Sequence, residues 1–325
     1  MRVRSHMTIL KKLAASAVIL AVAALAACGQ VNKESPDQAA EDRTEEKTDE
    51  EAGTGQAETP EEVPEEEMVV AAVSRSIGDL WLLAGGELAG MTQDGMDLPG
   101  ITEETKVIGT VTNPSLEAIA ALSPDMVLLS GELPTHKKLA EDLEERGFAC
   151  RMVTIDSFAD YDSVMAELTA MTGREDCYQT NVTDLKERIG QVLEEAEGKD
   201  LVRGTYLALR VSASRNKALK NDYFACEIFN DLGLANIAQD NSAFDELNLE
   251  AILDADPDII FVIEQGKSEE AQESFSENFS GRPVWQELSA VKNDRVWTLP
   301  KEYFQYKPNA KWDEAYRYVM ELLEK

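Results

Sequence analysis

The chain carries one short pattern twice, and that repetition constrains its fold more than any other feature. Leu116-Glu117-Ala118-Ile119 is followed by Pro124-Asp125-Met126-Val127-Leu128-Leu129, and Leu249-Glu250-Ala251-Ile252 by Pro257-Asp258-Ile259-Ile260-Phe261-Val262, with Glu and Pro seven positions apart in both copies. Each copy reads as a helix, a Pro-Asp turn and an apolar strand, because proline halts a helix and an unbroken apolar run suits a strand buried on both faces. A unit used twice predicts two lobes of like construction. Leu116, Ile119 and Ala120 share a helical face that excludes Glu117, and Leu249, Ile252 and Leu253 do the same to Glu250. The two carboxylates are therefore expected at the surface, one per lobe, as a matched pair suited to docking on a two-fold partner. A merely solvated helix residue is the alternative for each.

Short apolar strands alternate with helices along the rest of the chain: Met68 to Val73, Val107 to Ile108, Met126 to Leu129 and Cys150 to Ile155, then Thr205 to Val211, Ile259 to Ile263 and Arg295 to Leu299. That alternation predicts an α/β fold of two Rossmann-like lobes with parallel sheets. Between the lobes Tyr178, Val182, Leu185, Ile189 and Val192 recur at three and four positions until Gly198. The spacing predicts one rigid helix over 174–197, roughly 36 Å long, joining lobes at 68–173 and 198–325 with a ligand cleft between them. A continuous helix resists bending, so the expected domain movement is small. The last helix, with Pro308 in its first turn and Trp312, Ala315, Val319 and Leu322 on one face, is expected to pack back onto the body.

The N-terminus addresses the chain outside the cytoplasm. Arg2, Arg4, Lys11 and Lys12 accompany an apolar run from Leu13 to Ala27 that is too short to span a bilayer, so residues 1–27 read as a secretory signal, with Met7 as an alternative start. The run ends in Leu25-Ala26-Ala27-Cys28-Gly29, which resembles the bacterial lipoprotein cleavage box. That resemblance implies a diacylglycerol on Cys28 and anchoring to the cell membrane. From 28 to 67 no apolar period is found; residues 34–67 hold fifteen acidic side chains with only Lys33, Arg43 and Lys47 to offset them, the composition of a disordered, self-repelling tether. The formal net charge of −31 argues against a nucleic-acid partner. Cys150, Cys177 and Cys226 leave at least one free thiol, and Cys150 with Cys177 is the one bridge to consider. His136 is the sole histidine of the mature chain, which excludes a His-rich zinc or catalytic cluster.

Cleavage box, acidic tether, Asn113-Pro114-Ser115-Leu116-Glu117-Ala118-Ile119, Leu122-Ser123-Pro124-Asp125-Met126-Val127, the single linking helix, Pro257-Asp258-Ile259-Ile260-Phe261-Val262, Pro283-Val284-Trp285 and Ala290-Val291-Lys292-Asn293-Asp294-Arg295-Val296 stand in one order over about 68–325. In that order they resemble the substrate-binding proteins of ABC importers for iron-siderophores, haem and cobalamin. The resemblance implies a lipid-anchored, monomeric receptor without an intrinsic cofactor. It would hold a metal chelate, a ferric siderophore first and haem or a corrinoid next, and deliver it to a permease dimer with its ATPase. In that family the helix glutamate of each lobe pairs with permease arginines, a role that falls here on Glu117 and Glu250. Desolvated carboxylate–arginine contacts give such a complex its register. A membrane-anchored sensor that passes ligand state to a partner protein is the alternative. An enzyme is not expected, since no G-x-S-x-G elbow, P-loop or paired catalytic histidine occurs.

Ligands of open parallel sheets sit beyond the carboxyl ends of the strands. Those ends are expected at Ser74-Arg75-Ser76, Ser130-Gly131-Glu132, Ser212 to Lys217, Glu264-Gln265 and Lys301-Glu302-Tyr303-Phe304. Arg75, Arg215 and Lys217 are candidate partners of an anionic ligand, such as a ferric catecholate or hydroxycarboxylate or the haem propionates, and surface ion pairing is the bland alternative. Trp81, Phe244, Tyr303 and Tyr306 are candidate apolar walls, although Trp81 belongs to a run that suits the core. His136, after Pro134-Thr135, reads as a surface histidine, with an axial haem ligand as the weaker alternative.

Overall fold

Parallel pairing explains why the longer central strands are mostly apolar: both faces of such a sheet are covered by helices. The computed structural model describes residues 68–245 and 247–325; the signal, Cys28 and the tether lie outside the described residues. In the first lobe, β1 (Val70–Ala72), β2 (Gly90–Met91) and β3 (Lys106–Val107) precede a separate antiparallel hairpin of β4 (Gly109–Thr110) and β5 (Asn113–Pro114), and then come β6 (Met126–Ser130) and β7 (Cys150–Val153). The order β3-β2-β1-β6-β7 is parallel at every pair. The second lobe holds β8 (Gly204–Val211), β9 (Lys217–Ala218), β10 (Leu234–Asn236), β11 (Ile259–Glu264) and β12 (Val296–Leu299). Its order is β10-β8-β11-β12, all parallel, and β9 pairs antiparallel with β8.

The repeated segment does the same work in both lobes. Its helices, Leu116–Ala121 and Leu249–Ala255, are N-capped by Ser115 and Asn248, whose side chains accept from the amides of Ala118 and Ala251. Each helix is followed, just before its proline, by a residue in left-handed backbone, Ser123 and Asp256. The Asp after that proline then reaches sideways. Asp125 Oδ2 accepts from the Val69 amide at 2.8 Å, and Asp258 Oδ2 from the Thr205 amide at 2.8 Å and the Thr205 hydroxyl at 2.9 Å. The Pro-Asp turn thus fastens each lobe's repeat strand to the start of its neighbouring strand.

The linking helix is present but is not a uniform α-helix. It runs as Glu175–Tyr178, a π-helical turn at Gln179–Thr183, and Asp184–Glu197. The wide turn is held from outside: the Asn181 backbone carbonyl accepts from the Tyr161 hydroxyl at 2.8 Å, and the Asn181 side-chain Nδ2 donates to the Leu83 carbonyl at 2.8 Å. A π turn inserts a residue into the helical ladder, so the stiffness expected of an unbroken α-helix is interrupted here. Beyond it Leu185, Ile189, Val192 and Ala196 are buried, and Arg188 pairs with Asp313 of the last helix, Trp312–Leu323, at 2.6 Å.

One apolar core runs through both lobes, from Val70 and Leu128 through Val182 and Leu185 to Tyr206, Phe261 and Trp312. Trp312 is fully buried, with Phe158 of the first lobe edge-on at 5.7 Å and Phe224 of the second at 5.9 Å. The Phe158 amide donates to the Glu227 carboxylate of the second lobe at 2.7 Å. Burying an aromatic ring of this size contributes about 2–3 kcal/mol, so the lobes are held together by shared side chains as well as by the helix.

Candidate functional site

The strand order reverses between β1 and β6 in the first lobe and between β8 and β11 in the second. A reversal leaves a crevice, because the helices that follow the two strands lie on opposite faces of the sheet. Both crevices open onto one cavity of about 350 Å³. The first lobe contributes Ser74, Arg75, Ser76, Ser130 and Glu132, and the second Arg210, Tyr223, Gln265 and the segment Gln305-Tyr306-Lys307; Ile77, Val111, Leu133, Val153 and Ile155 supply apolar lining.

The cations of this cavity are not equivalent. Arg75 is satisfied by the first lobe: its guanidinium donates to the Asp94 carbonyl at 2.9 Å and pairs with Asp97, while its amide donates to the Asp94 carboxylate at 2.9 Å. The hydrogen bond from Arg75 holds the Asp97 carboxyl below its ordinary range. Lys307 crosses between the lobes. Its ammonium pairs with Glu132 at 2.6 Å, donates to the Ile155 carbonyl, and sits 4.7 Å from the centre of the Phe224 ring. Arg210 lies over the Tyr223 ring at 5.8 Å and, among the described residues, has no carboxylate partner. Directly across the β8–β9 pair stands Lys217. Like charges at opposed positions of an antiparallel pair repel, and Lys217 is held below its ordinary value, first by burial and then by Arg210.

Of the residues singled out from the sequence, Ser74, Arg75, Ser76, Ser130 and Tyr306 line the cavity. Lys217 stands behind Arg210 rather than on the wall. Arg215 is exposed at the turn between β8 and β9, where the Ser212 hydroxyl accepts from its amide at 3.1 Å and donates to its carbonyl at 2.7 Å. Ser212 therefore closes that turn and does not face a ligand. Trp81 is 2% exposed and donates to the Glu87 carbonyl at 2.8 Å, and Phe244 is likewise buried in the second lobe's core, so neither is a cleft wall. Tyr303 donates to Glu314 at 2.8 Å and packs on Phe304 and Tyr318, away from the cavity.

His136 is neither exposed nor free to ligate. It is fully buried, its Nδ1 accepts from the Ser130 amide at 3.1 Å, and its Nε2 faces the Val111 carbonyl at 2.8 Å. Burial holds the imidazole below its ordinary pKa. The ring is a neutral spacer that fixes the end of β6. Cys150 and Cys177 are both free thiols here, so the bridge considered from the sequence is not formed.

The cavity residues missed from the sequence are Arg210, Tyr223 and Lys307. Arg210 sits inside the apolar run of β8, where the charge was itself a signal, since a strand interior seldom carries an arginine without a use. Among the described residues no group of three His, Cys, Asp or Glu converges as a metal site. The cavity offers the cations Arg75, Arg210 and Lys307, serine hydroxyls and the Tyr223 ring, together with the acids Asp94 and Glu132.

The model of the periplasmic binding protein family matches residues 70–303. The chain is 26% identical over 209 residues to the Fe(3+)-citrate-binding protein YfmC of Bacillus subtilis, covering 63% of this chain and 62% of that protein, less than two thirds of its length. It is 24% identical over 255 residues to the high-affinity heme uptake system protein IsdE of Staphylococcus aureus, covering 72% and 84%. In fold it is similar to an ABC transporter substrate-binding protein from Listeria monocytogenes, with a TM-score of 0.68 at 23% identity over 79% of this chain and 98% of that one. It is also similar to S. aureus IsdE complexed with heme, with a TM-score of 0.70 at 19% identity over 80% and 100%. The family match covers well over half of the chain, and the chain belongs to the periplasmic binding protein family.

Proposed function

We propose that the chain is the extracytoplasmic receptor of an ABC importer, anchored through Cys28, that captures an anionic ferric chelate of the siderophore or hydroxycarboxylate kind. The observation that carries this reading is Arg210 on the cavity wall, backed by Lys217 across the β8–β9 pair, neither of them in an ion pair with a carboxylate among the described residues, in a protein of net charge −31. The relatives that bind Fe(3+)-citrate and heme support the substrate class. A cavity of about 350 Å³ is at the lower end of the roughly 300–1,000 Å³ of small-molecule sites, which favours a compact ferric chelate over haem or a corrinoid. Delivery rests on Glu117 and Glu250, both exposed in the first turns of capped helices, one in each lobe. Titration of the purified protein with ferric citrate, haemin and cobalamin, followed by tryptophan fluorescence, tests the ligand. Tight stoichiometric binding of the ferric chelate is expected, and binding of cobalamin alone would refute the reading. Native mass spectrometry of protein from its own host gives the same answer without a chosen probe.

A further inference from the structure

Glu132 lies at the end of β6 on the cavity wall, and its carboxylate meets the ammonium of Lys307 across the two lobes at 2.6 Å. The partners are unequally held. The Lys307 side chain is 13% exposed and is also tied to the Ile155 carbonyl and set against Phe224, whereas the Glu132 side chain is 38% exposed. If the pair separates, the lysine stays and the glutamate leaves. Glu132 also acts electrostatically on Lys217, whose charge it favours, and on Tyr223, so it lies in the same field as Arg210 and Lys217. Arg75 takes its counter-charge from Asp97, which is 76% exposed and does not line the cavity. Asp94 also lines the cavity, but its carboxylate accepts from the Arg75 amide within its own lobe, so Glu132 is the lining acid that forms an ion pair with a cation of the other lobe.

We propose that Glu132 is an internal stand-in for a ligand carboxylate: it occupies Lys307 in the empty cleft, gives way when a polyanionic chelate enters, and so sets the charge that the cleft selects. This rests on the anionic-chelate reading above. A chelate anion that approaches Lys307 must either lie beside Glu132, against like-charge repulsion, or replace it on the ammonium. A ligand without net negative charge gains nothing by the exchange and leaves the ion pair in place.

The test is Glu132→Gln, titrated with ferric citrate and with a ferric hydroxamate that carries no net negative charge. Removing a like charge from a shared site is expected to tighten ferric citrate by roughly tenfold and to leave the hydroxamate within about twofold. In the background of Lys307→Gln the gain from E132Q should disappear, because no ammonium remains to be contested. Weaker or unchanged ferric citrate binding by E132Q, with the parent protein binding normally, overturns the inference and leaves the receptor reading intact. Failure of parent and variant alike to bind ferric citrate instead overturns the ferric hydroxycarboxylate part of the receptor reading, and this inference with it. Melting curves accompany each titration. If E132Q fails to fold, Glu132→Ser repeats the measurement, and failure of both variants to fold also overturns the inference, since a residue the empty protein cannot lose is not an exchangeable one.

Discussion

Replacing Arg210 by Gln should move affinity and stability in opposite directions. Arg210 faces Lys217 across an antiparallel pair, and among the described residues neither forms an ion pair with a carboxylate. Opposed side chains of this kind place their charges about 6–8 Å apart, and at the effective dielectric of a half-buried site the repulsion amounts to about 1–2 kcal/mol. The substitution removes that repulsion and also the contact of the guanidinium with the Tyr223 ring, which contributes about 0.5–1 kcal/mol. The difference is a gain of about 0–1.5 kcal/mol, or a rise in Tm of up to about 3 °C for a chain of this size. Ferric citrate, by contrast, loses a partly desolvated charge partner, at a cost of about 2–4 kcal/mol, which is a weakening of about 30-fold to 1,000-fold. Lys217 supplies a further signature. Its folded pKa lies below that of the unfolded chain, so its charge costs stability below the folded value and stability recovers as pH rises from there toward the ordinary lysine range. That alkaline recovery should shrink in R210Q. Fluorescence titration and melting curves from pH 7 to 10 check all three. A loss of affinity below threefold, or a Tm that falls, would refute the argument that this cation is kept for a ligand at the expense of the empty fold.

Charge reversal of both Glu117 and Glu250 to Lys should abolish uptake in cells while the isolated protein keeps its ligand affinity. Each change costs only about 0.3–1 kcal/mol through the helix dipole, and normal uptake at normal surface levels would show the docking surface to lie elsewhere. Cys28→Ser should block lipid attachment and release soluble protein or leave uncleaved precursor; a variant that stays membrane-bound with its signal removed would contradict the anchor. His136 is held neutral below its ordinary range by burial, so its contribution is complete above the unfolded imidazole value near 6.5 and is lost as pH falls below it. His136→Phe should flatten that acid limb and lower stability by about 2–4 kcal/mol, through the stranded Ser130 amide and Val111 carbonyl. An unchanged pH profile of Tm would place the titration in another group.

Much of the architecture was legible because it depends on short-range pattern. The repeat around Glu117 and Glu250, the apolar runs that became β6, β8, β11 and β12, and the spacing of Leu185, Ile189 and Val192 each report a local periodicity, and local periodicity decides which residues must be covered. The short strands β2, β9 and β10 escaped because two or three residues make no period; they exist only because a neighbouring strand supplies partners. The π turn at Gln179–Thr183 escaped for a similar reason, since its cause is the grip of Tyr161 and Leu83 on Asn181, contacts from distant parts of the chain.

The cleft divides along the same line. By itself the sequence determined that there are two α/β lobes, that a carboxylate stands on an equivalent helix of each, and that strand ends such as Ser74-Arg75-Ser76 and Ser130 come together, where the structure places them on one cavity. Which cations reach that cavity was decided by tertiary structure alone. Arg215 and Arg210 are five positions apart, yet the β8–β9 turn turns Arg215 outward while Arg210 keeps its place on the strand facing the cavity. Lys307 meets Glu132 only because the two lobes share one core, and His136 is buried because the hairpin segment at Val111 folds over it. A charge has no local period to announce it; its role depends on which opposite charges the rest of the fold brings within a few ångströms and which it withholds.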